Sequence, residues 1–89
     1  MGRRAHSREK LPQETRNALA DYLAELEKVY PEATKKYQVV SWPEYGEGSY
    51  LVKISPPTDE EQWIELSERM AEVGTRILIE SDRLFILAV

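Results

Sequence analysis

A pair of consecutive prolines, Pro56-Pro57, divides this chain more firmly than any other feature of it. Both residues lack a backbone donor and fix φ, so a sheet ladder cannot run through them and a helix can only begin after them. On their N-terminal side Ser49 to Ser55 alternates, with Tyr50, Val52 and Ile54 on one side and Ser49, Leu51 and Lys53 on the other. That period of two predicts a half-buried strand. On their C-terminal side Thr58-Asp59-Glu60-Glu61 has the form of a capping box, and Trp63, Leu66, Met70 and Val73 follow at helical spacing. The pattern predicts a helix from about Asp59 to Val73, with Gly74 as its left-handed C-cap.

The other segments are read in the same way. Leu19, Tyr22, Leu23, Leu26, Val29 and Tyr30 recur at three- and four-residue steps after Pro12, which predicts an amphipathic helix with Pro12 in its first turn and its end at Tyr30, before Pro31. Tyr37 to Trp42 is rich in β-branched and aromatic residues and closes at Pro43, so it reads as a strand. With Glu44 to Gly48 as the loop, it forms a hairpin with Ser49–Ser55. Ile77-Leu78-Ile79 and Leu84-Phe85-Ile86-Leu87, separated by Glu80-Ser81-Asp82-Arg83, read as two strands joined by a polar turn, with a single bent strand as the alternative. The last strand is apolar on both faces, which places it centrally in the sheet or under a partner. The fold class is therefore α+β, with two helices packed on one face of a small, mainly antiparallel sheet of three to four strands, in the order α-β-β-α-β-β.

Eighty-nine residues leave room for one core. Residues 1–10 lack hydrophobic periodicity and hold Arg3, Arg4, Arg8 and Lys10 against Glu9, a net of +3. They read as a flexible basic arm, and residues 11–89 as one domain that carries −7 of the total −4. An acidic body repels nucleic-acid phosphate, so nucleic acid suits the arm and not the body. No apolar run approaches the roughly 20 residues of a membrane span, and none follows the basic residues as a secretory signal would require. With no cysteine in the chain, a cytoplasmic location is the expectation.

No nucleophile-elbow, phosphate-loop, zinc-ligand or calcium-loop pattern occurs, so no catalytic residue, metal ligand or cofactor is assigned. His6, the one histidine, falls in the arm. Asp59, Glu60 and Glu61 stand at consecutive helical positions, about 100° apart, and cannot converge on one ion; they suit capping and the helix dipole. Gly46-Glu47-Gly48-Ser49 leads into a strand, where a phosphate-cradling loop would lead into a helix. Trp42, Glu44 and Tyr45 place two large aromatics in or beside a loop, which marks a candidate binding loop.

The order helix, strand, loop, strand, helix, strand is similar to that of the minimal nucleotidyltransferase core. That family requires a Gly-Ser pair after its first strand and paired acidic residues on its second to hold magnesium. Ser41-Trp42 and Tyr50-Leu51-Val52 stand there instead, so the resemblance implies the layout without the chemistry. The expected function is a non-catalytic interaction or regulatory module that self-associates through its sheet as a homodimer and binds a protein partner. The alternative is a nucleic-acid-associated protein acting through Arg3, Arg4, Arg8 and Lys10.

Overall fold

The computed structural model describes residues 11–89. The basic arm, with Arg3, Arg4, His6, Arg8 and Lys10, lies outside the described residues. Helix α1 spans Gln13–Val29, and a 3-10 turn covers Pro31–Lys35. Strands β1, Tyr37–Ser41, and β2, Ser49–Ile54, follow, with a short 3-10 turn at Pro43–Tyr45 between them. Helix α2 then spans Glu60–Ser81, and strand β3 spans Leu84–Ala88. Pro12 is the residue that caps α1 and does not itself join the first turn. Tyr30 ends that helix as its position before Pro31 requires, because the ring of a proline disfavours helical backbone in the preceding residue.

The C-terminal third departs from the periodicity reading. Gly74 does not end α2. The helix runs on to Ser81 and stops at Asp82, whose left-handed backbone, at φ 61°, sends its N–H back to the Leu78 carbonyl. Ile77-Leu78-Ile79 is therefore helix, and the expected C-terminal hairpin does not form. Ile77 lies four residues after Val73 and is buried with it, whereas Ile79, an equally strong strand former, stands 79% exposed. Helical burial of Ile77 outweighs local β propensity. The N-cap is also one residue later than the capping box suggests: Asp59, and not Thr58, accepts the Glu61 N–H at 3.1 Å.

A 22-residue helix between β2 and β3 makes their pairing parallel. It returns the chain to the end of the sheet from which β2 started, a crossover that only a segment of a dozen or more residues can make. The sheet is thus mixed and three-stranded in the order β1-β2-β3, with β1 antiparallel to β2. The element order is α-β-β-α-β. Strand β2, and not the apolar β3, is central; β3 lies at an edge.

Tyr50, Val52 and Ile54 of β2 share one sheet face with Phe85 and Leu87 of β3, because paired residues point the same way. Val52, Ile54 and Phe85 form one buried cluster with Tyr22 and Leu26 of α1 and Leu66, Met70, Val73 and Ile77 of α2. Both helices thus cover this face. Phe85 sits between two rings, 5.4 Å from Tyr22 and 5.5 Å from Tyr50.

Gly74 sets how closely α2 approaches the sheet. Leu84 N–H donates to the Gly48 carbonyl, so the backbone groups of Leu84 point toward β2 and those of Phe85 point away from it, to the free edge. A Cβ on Gly74 would stand 2.9 Å from that Phe85 carbonyl oxygen. The helix thereby shields the edge of β3, and Phe85 is only 2% exposed. Gly74→Ala should therefore destabilise the fold by about 1–3 kcal/mol through this clash, although alanine in a helix interior is ordinarily favoured over glycine by about 1 kcal/mol. Urea unfolding reads the difference, and a stabilised variant would contradict the close approach.

Candidate functional site

Opposite the helices, the sheet has a second face that no described element covers as a layer. Val40, Leu51 and Ile86 form one row across the three strands, all half-buried. Trp42 extends this face, since its N–H donates to the Ser49 carbonyl at 2.8 Å and Ser49 is paired with Leu84. Gln38 and Lys53 close the far end with polar side chains.

The loop between β1 and β2 is built by its turn residues. Pro43 starts the 3-10 turn, the Tyr45 and Gly46 amides donate to the carbonyls of Trp42 and Pro43, and Ser49 N–H donates to Gly46. Gly48 takes φ +80°, and a Cβ there would stand 3.2 Å from the Asp82 carbonyl. The glycines serve a hairpin and the docking of β3, and no helix N-terminus follows them. Trp42 and Tyr45 are brought together, stacked at 5.0 Å and 12°. Trp42 is half-buried and Tyr45 is 60% exposed. Glu44, between them, is exposed and makes no part of the stack.

Tyr45 also stands at the rim of a groove of about 340 Å³ between α2 and β3, lined by Ser67, Ala71, Thr75, Leu84 and Ile86 among others. Helical spacing places Ile64, Ser67 and Ala71 at the margins of the inner stripe, yet Ile64 is 49% exposed, and Thr75 and Leu78 join the helix only because it continues past Val73. The signal was present: helical spacing runs unbroken through Gly74 to Ile77 and Leu78.

Arginines set the local electrostatics. Arg83, read from sequence as a turn residue, donates through Nε to the buried Thr15 hydroxyl at 2.8 Å and through Nη1 to the Ser81 carbonyl at 2.9 Å. It ties the start of α1 to the end of α2. Arg76 bridges the helices, facing Asp21, Glu25 and Glu80. Its hydrogen bond to Asp21, with the charges of Asp21, Glu80 and Glu25, holds the guanidinium above its ordinary pKa. Arg76 and its partners are solvent-facing, and such pairs are screened by water and salt.

Asp59, Glu60 and Glu61 do not converge, and among the described residues no three His, Cys, Asp or Glu side chains stand together as a metal site. Strand β2 carries Tyr50, Leu51 and Val52 and no acidic residue, so the magnesium-holding pair of the nucleotidyltransferases has no counterpart on it. No helix among the described residues is long and apolar enough to cross a membrane. No protein-family model, curated protein or solved structure matches the chain.

Among the described residues, the buried Tyr22 hydroxyl has no hydrogen-bond partner. Burial raises its pKa above the ordinary value, because the phenolate cannot be solvated there. The folded state therefore keeps the proton where the unfolded chain releases it. This contribution to stability is fully present below about pH 10, the unfolded tyrosine value, and declines as pH rises above it. Tyr22→Phe should leave stability unchanged or raise it by about 1 kcal/mol near neutrality. Its advantage over the parent chain should widen as pH rises from about 10 to about 11 in denaturant titrations. A loss on Tyr22→Phe would mean that the hydroxyl has a partner.

Proposed function

We propose that this chain is a non-catalytic interaction module that self-associates and presents its uncovered sheet face, with Trp42 and Tyr45, to a protein partner. The observation that carries this reading is the stack of half-buried Trp42 on exposed Tyr45 beside the half-buried row of Val40, Leu51 and Ile86. Rigid aromatics with few rotatable bonds lose little entropy when covered, which is why Tyr and Trp dominate the energetic centres of interfaces. The apolar row supplies area for burial around them, and the polar end at Gln38 and Lys53 bounds it. The acidic body favours a partner that is not a nucleic acid.

The test is affinity capture with the purified chain and its Tyr45→Ala variant as baits. Tyr45 is exposed, so the variant should lose less than about 0.5 kcal/mol of stability. Loss of a central contact aromatic weakens binding by about 2 kcal/mol or more, roughly thirtyfold, so proteins retained by the parent should be lost by the variant. An unchanged set of bound proteins, with Trp42→Ala equally without effect, would contradict the reading.

A further inference from the structure

We infer that the partner for self-association is a second copy paired to the free edge of β1, antiparallel and centred on Val39, so that two three-stranded sheets become one. This rests on the self-associating part of the reading above and assigns that contact to a single strand edge. Strand β1 ends the sheet order β1-β2-β3 and, among the described residues, pairs only with β2. The Trp42 amide donates to Ser49, so the alternation of an antiparallel ladder also turns the backbone groups of Val40 and Gln38 toward β2. Those of Tyr37, Val39 and Ser41 therefore point outward, and no backbone group among the described residues bonds to them. The opposite edge of the sheet differs, because α2 lies against the outward carbonyl of Phe85 at Gly74. At β1 the helical cover gives out. Val52 is fully buried on that face, whereas Val39, its neighbour across the ladder, is half-buried and Tyr37 is 42% exposed. The strand holds no charge, proline or bulge, the devices that keep an open edge from pairing.

A twofold contact needs an edge complementary to itself. Turning β1 about Val39 sets Val39 opposite the partner's Val39 and Tyr37 opposite the partner's Ser41. Each outward N–H and C=O then meets a counterpart, because facing residues of this kind exchange both bonds. Any other register of the two edges leaves outward groups unpaired. On the helix side the pairing buries Val39 against the partner's Val39. On the open side it sets Val40 against the partner's Gln38, so the rows of Val40, Leu51 and Ile86 in the two copies lie on one continuous face.

Charge selects a like copy as the occupant, because the two ends of β1 differ in sign. Lys36 precedes the strand and lines a hollow together with Lys53, which pairs with Gln38 across the ladder. Lys35 is offset by Glu32 at 3.8 Å. The exposed Glu44 and Glu47 follow the other end. Antiparallel pairing brings each basic end to the acidic end of the second copy, twice by symmetry. One residue beyond the strand, it sets Lys36 opposite the partner's Trp42, where a cation meets the stacked aromatic pair. A foreign strand has to match both the length of the edge and this order of charges, and a second copy does so by construction. The contact is about 17 Å long at 3.4 Å per residue. That places it in the small class, below about 1,200 Å² in total, where a dimer forms weakly.

Sedimentation equilibrium of the full chain from about 10 to about 500 µM, with amide hydrogen exchange at both ends of that range, tests this. The mean mass should climb from monomer toward dimer. The amides of Gln38, Val40 and Trp42 should be protected throughout, and those of Tyr37, Val39 and Ser41 only where dimer forms. Val39→Pro removes an outward donor while leaving the bonds to β2, and should weaken association at least about tenfold. Val39→Cys, in a chain that has no other cysteine, should give an interchain disulfide on mild oxidation, since facing residues stand about 5.5 Å apart at Cα. Gln38→Cys should not, since it lies diagonal to its own counterpart at about 7–8 Å. Lys36→Glu and Glu44→Lys should each weaken association, and the two variants mixed should associate with one another. A dimer whose Tyr37, Val39 and Ser41 amides stay unprotected overturns the β1 contact while leaving the module reading intact. So does a dimer that Val39→Pro spares and Val39→Cys fails to link. A monomer across the whole range removes self-association itself, and Tyr45→Ala capture then decides separately whether the sheet face binds another protein.

Discussion

Gly74 lies against the Phe85 carbonyl at a distance that no side chain permits, and much of the molecule follows from that contact. It lets α2 lie low on the sheet, so Met70, Val73 and Ile77 reach Phe85 and the core cluster closes around Tyr22. It also shields the outward backbone groups of an apolar edge strand that carries no lysine, proline or bulge of its own to discourage pairing. The helix gives up roughly 1 kcal/mol of propensity at that glycine, which close packing of the flanking residues offsets. Arg83 fixes the same junction from the other side by joining Thr15 of α1 to the last turn of α2.

The first two-thirds of the fold was legible because local and tertiary signals agree there. Pro31, Pro43 and Pro56-Pro57 stop elements for reasons internal to the backbone, and the alternation of Tyr50, Val52 and Ile54 matches the face they present to the helices. The last third was not legible, because two local signals point away from the tertiary answer. A glycine after a helical run resembles a C-cap, and three consecutive β-branched or large aliphatic residues resemble a strand. Gly74 is glycine for want of space, and Ile79 is exposed in spite of its type. The parallel pairing of β3 depends wholly on where α2 ends, so misplacing that end misplaces the strand as well.

Of the candidate site, Trp42 and Tyr45 were readable as aromatics in a loop, and the structure stacks them. Their position beside Leu84 and Ile86 was not readable, because it depends on Gly48 accepting β3 at the loop. The flank of α2 beside the groove was legible only in part, for a related reason. A helix ended at Val73 carries Ile64, Ser67 and Ala71 there, as margins of its inner stripe, whereas a helix continued to Ser81 adds Thr75 and Leu78.

The account stands on α2 continuing through Gly74 and delivering β3 parallel to β2. Backbone chemical shifts with nuclear Overhauser contacts in solution test this most directly. Helical shifts unbroken from Glu60 to Ser81, with contacts from Gly74 Hα to Phe85 and between Leu51 and Ile86, are the predicted result. Strand shifts across residues 75–79, with cross-strand contacts from them to residues 84–87, would contradict it and remove both the edge shielding and the α2 flank.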